Sequence, residues 1–401
     1  MYRIDEESDK EKYIMLIPAM LDAHFPLLKY AFYSKEYHPI ILENEEGITD
    51  IGLKYVNNDM CYPAILNVGQ MIGALQSGDY DLKRTVLLMP QAGDACRGSN
   101  YTGVLRRGVN KAGFEQIPVL SLNVKGMEKE SQVKLTPGMV WRALFSVFYG
   151  DMLMILSNQM RPYEKTKGET EKCVERWTNT LAEELKQGRH LSFGRMKKNF
   201  QRMAEEFVAI PKKDITLPKI GIVGELYTKY CHLGNWNLEK ILQKEKCEYY
   251  INGLTWYVLY YIDTHLTTEG KWMGLAYRLG LLLIGRLQHH MVQAIKRQGL
   301  YCMDEFSKWK NEADGYVNYH CSIGDGWLIG AEAVNHIKNG YKKVLAVQPF
   351  GCMPNHVSGR GIYPSIQRKL PEGQIISVDY DSSGSELNVK NRVMMILSEF
   401  K

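Results

Sequence analysis

Short apolar runs alternate with amphipathic stretches over residues 1–126. The runs at 13–18, 38–42, 85–89 and 118–122 have the length and aliphatic content of buried strands. Between them, helical patterns occur near 25–33, from Cys61 in CYPAILNVGQMIGALQSG, and from about residue 100. This alternation is typical of βαβ units, so residues 1–126 are predicted to form a parallel α/β lobe.

The pattern changes to long charged helical segments over 127–215, which predicts a helical linker or cap. A second α/β lobe is predicted over 216–401. Its strands are predicted at 217–224, 248–251, 343–348 and 374–379, and its helices at 235–243, within 271–310, at 327–338, at 361–370 and from about 384. The predicted fold class is therefore α/β, with two Rossmann-like parallel-sheet lobes and a cleft between them.

Three cysteines stand in segments rich in Gly, Pro and Asn: Cys61 in NNDMCYPA, Cys96 in GDACRGSN and Cys352 in QPFGCMPNHVSG. Cys96 and Cys352 follow predicted strands, and Cys61 begins a predicted helix, where backbone N–H groups favour a thiolate. Because ligands bind beyond the carboxyl ends of parallel strands, all three are expected to face the inter-lobe cleft. The cysteines are 35 and 256 residues apart, which matches no zinc knuckle or ferredoxin run. The spacing therefore leaves both a metal site and buried thiols open.

Composition narrows the class of protein. The chain has 401 residues, 45% of them hydrophobic, eight cysteines and a formal net charge of +5. The N-terminus MYRIDEESDKEKY lacks the basic start and apolar centre of a secretory signal, and the apolar run at 279–285 is too short to span a bilayer. We therefore expect a cytoplasmic protein without structural disulfides. The scattered basic residues argue against nucleic acid as a partner, and no membrane association is expected.

Six segments carry a resemblance to a known family: NDMCYPAILNVGQ, QAGDACRGSNY, GNWNLEKIL, GDGWLIGAEAV, QPFGCMPNHVSGRGI and VDYDSSGSELNVKNR. They resemble the 2-hydroxyacyl-CoA dehydratase superfamily, in particular its branch related to the C-terminal region of large acyl-CoA dehydratase activase proteins. The resemblance implies a [4Fe–4S] cluster held by Cys61, Cys96 and Cys352, with one iron open to a substrate or another ligand. Related proteins of the superfamily carry a double-cubane cluster instead.

The resemblance also implies partners. A separate actin-fold ATPase activator with its own iron–sulfur cluster would supply a low-potential electron, because this chain has no GxxxxGK[ST] phosphate-binding loop. The electron would serve the reduction or radical dehydration of an acyl-CoA or a small reducible molecule. Pairing with itself or with a related subunit is expected. Two alternatives remain open: a non-catalytic electron-relay or cluster-scaffold subunit, and a zinc-stabilised binding module.

Further residues are candidates around such a cluster. Cys231 and Cys321, each beside a histidine and a glycine-containing loop, are candidates for additional ligands. His356 is a candidate proton donor, and Arg97 and Asn355 are candidate hydrogen-bond donors to cluster sulfur. The GIVGE segment at 221–225 lacks the GxGxxG spacing of a nucleotide site, so tight packing between a strand and a helix is the preferred interpretation.

Overall fold

The computed structural model describes residues 12–91, 96–123, 133–266 and 271–398, with the backbone alone at 271–273. The first lobe is a four-stranded, all-parallel sheet in the order β2-β1-β3-β4. Its elements are β1 Tyr13–Ile17, α1 Phe25–Leu28, β2 Tyr37–Ile41, α2 Ile48–Tyr55, α3 Tyr62–Gln76, β3 Thr85–Gln91, α4 Tyr101–Lys111 and β4 Val119–Asn123.

The second lobe repeats this arrangement with the strand order β6-β5-β7-β8, again all parallel. Its elements are β5 Lys219–Gly224, α8 Leu226–Tyr230, α9 His232–Asn235, α10 Leu238–Lys244, β6 Glu248–Ile251, α11 Leu254–His265, α12 Lys271–Arg297, α13 Phe306–Glu312, α14 Gly326–Lys338, β7 Lys343–Pro349, α15 Tyr363–Lys369, β8 Gln374–Tyr380 and α16 Glu386–Leu397. The predicted α/β fold class with two parallel-sheet lobes is confirmed, and each of the eight predicted strands is present. Helices α2 and α11 were not predicted, and the expected helix at 25–33 is reduced to α1 and one further short turn.

Three helices connect the lobes: α5 Pro137–Met160, α6 Glu169–Gln187 and α7 Phe193–Val208. The segment Pro137–Tyr163 is long and apolar enough to cross a membrane, with a mean hydropathy of 1.4, but 61% of its apolar window is buried in the protein. From Phe145 onward nearly every residue of α5 is buried. Its apolar composition is therefore accounted for by its position in the core shared by both lobes.

One carboxylate of α5 joins both lobes. The Asp151 carboxylate accepts hydrogen bonds from the backbone N–H groups of Leu254 and Thr255, at 2.6 and 2.9 Å, and so caps the start of α11. Its Oδ1 also lies 2.8 Å from Nε2 of His24, in the first lobe. All of these groups are buried. This junction fixes the position of α11 relative to both sheets.

The lobes face each other through the carboxyl ends of their strands. In each sheet the chain direction across the sheet reverses between the two central strands, β1 and β3 in one lobe and β5 and β7 in the other. Such a reversal opens a crevice beyond the strand ends, which is where open α/β sheets bind ligands.

Candidate functional site

A cavity of about 900 Å³ lies where the two crevices meet. The first lobe lines it with Met20, Cys61, Pro90, Gln91, Cys96, Arg97, Gly98, Tyr101 and Leu122. The second lobe lines it with Glu225, Leu226, Tyr227, Leu254, Tyr257, Val258, Tyr261, Ile262, Tyr277, Gly324, Asp325, Phe350, Gly351, Cys352, Met353 and Pro354. The three cysteines singled out in the sequence are thus brought together in one cavity.

Cys61 is the residue that precedes α3, with Pro63 in the first turn of the helix. The Tyr101 hydroxyl donates a hydrogen bond to its Sγ at 3.4 Å. Burial, and after it the charge of Glu225, raise the pKa of the Cys61 thiol to about 12, while Tyr101 and Arg97 act in the opposite direction. The free thiol is therefore protonated at neutral pH, and a bound cation would have to replace that proton.

Cys96 precedes a short helical turn, Arg97–Asn100, which leads into α4. Its carbonyl oxygen accepts the Ser99 N–H and hydroxyl at 3.2 and 2.7 Å, which fixes the turn. Arg97 lines the cavity, and its guanidinium donates to the carbonyl oxygen of Asp59. The predicted role of Arg97 as a hydrogen-bond donor to a bound group stays a prediction.

Cys352 follows β7 and precedes a helical turn that continues into a π-helical segment, Asn355–Arg360. The Asn355 side-chain amide donates to Cys352 Sγ and to Asp325 Oδ2, each at 3.3 Å. The predicted hydrogen bond from Asn355 to a cluster sulfur stays a prediction, while its amide contacts the sulfur of Cys352 itself. Burial, followed by the charges of Glu225 and Asp325, raises the pKa of the Cys352 thiol.

His356 is one helical turn beyond Cys352, with its Nδ1 2.8 Å from the Cys352 carbonyl oxygen. The described lining of the cavity does not include His356. Two carboxylates that the sequence did not single out, Glu225 and Asp325, do line it. The only sequence signal for them was their position, one just after a strand and the other just before a helix.

Glu225 follows β5, and its carboxylate accepts the Thr228 N–H at 2.9 Å at the start of α8. Asp325 precedes α14 and is buried. Burial, and then the neighbouring Glu225, raise the pKa of Asp325 to about 8, and burial also raises the pKa of Glu225. Two neighbouring carboxyl groups in a buried wall share a proton, because ionising both would place two negative charges close together in a poorly solvated region. The cavity therefore has proton-carrying groups beside its thiols.

Another part of the lining is apolar and comes largely from one face of α11. Leu254, Tyr257, Val258, Tyr261 and Ile262 recur at helical spacing and all line the cavity. Among the described lining residues, Arg97 is the one basic side chain. The volume is within the range of small-molecule sites, and the wall suits an uncharged or weakly charged ligand.

The spacing of the three thiols bears on which metal they suit. A tetrahedral zinc ion with Zn–S bonds of about 2.3 Å holds its sulfur atoms roughly 3.8 Å apart. In the described part of the chain, the one group of three Cys, His, Asp or Glu side chains with donor atoms all within 4.8 Å is Asp22, Cys231 and His232. The sulfur atoms of Cys61, Cys96 and Cys352 therefore do not all lie within 4.8 Å of one another, and a single zinc ion would require them to move closer together.

The other candidate ligands lie elsewhere. Cys231 is fully buried behind Tyr227, and Cys321 is exposed before α14; neither is among the described residues that line the cavity. Cys173, Cys247 and Cys302 are buried. Comparisons of the chain with protein-family models, with curated proteins and with solved structures gave no match. The family resemblance therefore stays a prediction.

Proposed function

We propose that this chain is an iron–sulfur protein of the 2-hydroxyacyl-CoA dehydratase type, in which Cys61, Cys96 and Cys352 hold a [4Fe–4S] cluster. The observation that carries the proposal is that these three thiols, from distant segments of both lobes, line one cavity. When bound, such a cluster supplies one-electron reduction and a Lewis-acidic iron at a position without a protein thiolate.

The residues around the thiols fit such a group. Tyr101 and Asn355 donate to two of the three sulfur atoms, and hydrogen bonds to cluster sulfur raise the reduction potential. The apolar face of α11 lowers the polarity of the cavity, which strengthens electrostatic interactions inside it.

The two carboxyl groups supply what a catalytic role requires beside the thiols. Asp325 holds a proton at a pKa of about 8 and is positioned by the Asn355 amide. It is therefore placed to donate a proton to a substrate group in the cavity. This assigns to Asp325 and Glu225 the acid–base function for which the sequence offered His356.

The substrate class follows from the charge of the wall. The described lining has two carboxyl groups and a single guanidinium, so this part of the cavity has little to bind the phosphates of coenzyme A. We infer that the reacting molecule is small and carries little negative charge, or that only the acyl end of a thioester enters. The electron would come from a separate ATP-hydrolysing activator.

The test is metal analysis of anaerobically purified protein. We expect a brown protein with iron and acid-labile sulfide, both sharply reduced in Cys352→Ser and retained in the matched control Cys321→Ser, whose thiol is exposed and outside the cavity lining. Low-temperature EPR of the reduced protein reports the nuclearity of the cluster. A colourless protein whose bound zinc depends on Cys352 would contradict the proposal. A cluster that is reduced by an activator but turns over none of a panel of thioesters and small reducible molecules would favour the electron-relay function.

A further inference from the structure

A second group of metal-ligating side chains lies at the contact between the lobes, outside the described lining of the cavity. Donor atoms of Asp22, Cys231 and His232 are all within 4.8 Å of one another. Asp22 belongs to the first lobe, after β1. The other two belong to the second lobe: Cys231 lies between α8 and α9, and His232 is the first residue of α9. Carboxylate oxygen, thiolate sulfur and imidazole nitrogen are the three donor types that zinc binds in proteins.

Backbone contacts bring the two segments together. The Asp22 N–H donates to the Tyr230 carbonyl oxygen at 3.0 Å, and the His232 N–H donates to Asp22 Oδ2 at 2.8 Å. The Cys231 thiol lies 3.5 Å from the Ala19 carbonyl oxygen. The donor atoms are therefore held by main chain on both sides rather than by long flexible side chains.

The histidine has the partners that a metal-ligating histidine needs. Its Nδ1 is 2.8 Å from Asp22 Oδ2, and its Nε2 is 2.9 Å from Glu45 Oε1. In metal sites the ring nitrogen that does not bind the metal typically donates to a carboxylate, which fixes the ring. Here Nδ1 would face the metal together with Asp22, and Nε2–H would donate to Glu45.

Cys231 supplies the thiol of the site, which a bound cation would ionise. Cys231 is fully buried, and burial, followed by the charge of Asp22, raises the pKa of its thiol. The nearby backbone N–H groups of Leu233 and Gly234 act in the opposite direction. Asp22 and Glu45 also raise the pKa of His232 to about 9. The site thus has an excess of negative charge that a divalent cation would neutralise.

We propose that Asp22, Cys231 and His232 bind a zinc ion that links the two lobes, and that Glu45 orients His232. The fourth position faces solvent, since Asp22 and His232 are partly exposed, and is taken by water. Binding converts Cys231–SH and the imidazolium to thiolate and neutral imidazole, so two protons are released for each ion bound. The ion would hold the lobes at a fixed separation.

The experiment uses the full chain after removal of metal. It is titrated with cobalt(II), whose thiolate charge-transfer absorption reports a Co–S bond, and then with zinc in competition. We expect one tight site per chain in the wild type. His232→Gln should bind at least roughly tenfold more weakly, since even indirect partners of a zinc site contribute that much. Cys231→Ser should lose the charge-transfer band.

Matched controls assign the site. His289→Gln removes another partly exposed histidine whose Nδ1 is paired with a carboxylate, 2.8 Å from Glu305, and Cys321→Ser removes an exposed thiol. Neither should change affinity. Zinc should also raise the thermal unfolding temperature of the wild type and not that of His232→Gln. If Cys231→Ser does not fold, the metal affinities of His232→Gln and Asp22→Asn test the proposal instead.

Two results would overturn the proposal. One is equal affinity of the wild type and His232→Gln, which would leave His232 as an imidazolium bridge between Asp22 and Glu45. The other is loss of the tight site in Cys352→Ser instead, which would place the ion in the cavity. Equal affinity leaves the proposal on the cluster unaffected, because iron and sulfide are measured separately on the anaerobically purified protein. Zinc held through Cys352 in a colourless purified protein would contradict both proposals.

Discussion

At the scale of the residue, burial is the main cause of the shifted pKa of His336. His336, on α14, is fully buried, with its ring 5.6 and 5.8 Å from the rings of Tyr250 and Tyr341. Burial, and secondarily the charge of Lys229, lower the pKa of His336 to about 3. Lys229 itself is buried in an ion pair with Glu332, at 3.0 Å, so the neighbourhood holds a fixed cation.

The pH dependence of stability follows from His336. Its folded pKa is below its unfolded value of about 6.5, so the unfolded state binds more protons between these values and stability falls as pH falls below about 6.5. The loss at pH 4 amounts to at most about 3 kcal/mol. Urea unfolding of the wild type and His336→Phe at a series of pH values checks this, with a flatter dependence expected in the variant. Equal slopes for the two proteins would contradict the assignment, whatever their absolute stabilities.

At the scale of the element, close approach between β5 and β7 shapes the site, because Glu225 and Cys352 follow these two strands. Gly224 ends β5 with φ +131°, and a Cβ there would lie 1.9 Å from the Val347 carbonyl oxygen. The tight packing of a strand against a helix that was expected for GIVGE occurs at Gly221, where a Cβ would lie 2.6 Å from the ring of His336 on α14.

We therefore expect Gly224→Ala to lower the free energy of unfolding by about 3–5 kcal/mol, from steric overlap and an unfavourable φ. The matched control is Gly285→Ala, within α12, where a Cβ has nothing within 4 Å. It should raise the free energy of unfolding by about 0.5–1 kcal/mol, because alanine is the better helix former. Denaturant unfolding measures both, and a Gly224→Ala protein as stable as wild type would refute the close approach.

The same elements show what the sequence could and could not predict. The strands were recognisable because central parallel strands are buried on both faces and appear as continuous apolar runs, such as TVLLM at 85–89. Helix α11, LTWYVLYYIDTH, was missed because it is apolar on nearly all sides, so its sequence shows no alternation of apolar and polar faces at the helical period. The cysteines were found by their chain context. Asp325 was missed because its place in the cavity depends on packing of distant segments, which no local pattern reports.

At the scale of the whole molecule, the two lobes have the same strand order, and their cavity residues correspond by position. Cys96 and Cys352 each follow the third strand of their sheet, β3 and β7. The helices that lead directly into those strands are α3 and α14, and the residues that precede them are Cys61 and Asp325. Both of these residues line the cavity.

The cavity is therefore lined by two corresponding pairs of residues, one pair from each lobe. The residue after the third strand is a cysteine in both lobes, whereas the residue before the helix is Cys61 in one lobe and Asp325 in the other. On the proposed function, three of these four corresponding positions hold a cluster ligand, and Asp325 has a carboxylate where the correspondence would place a fourth thiol. On that function, Asp325→Cys completes the correspondence and closes the open position. We expect it to keep its iron and EPR signal yet lose the spectral response to added external ligands, whereas Asp325→Ser, of similar size, should keep that response. Identical behaviour of the two variants would show that the open position lies elsewhere. Loss of the response in Asp325→Cys alone would mean that the difference between the two lobes, and not their similarity, leaves one metal position free for a substrate.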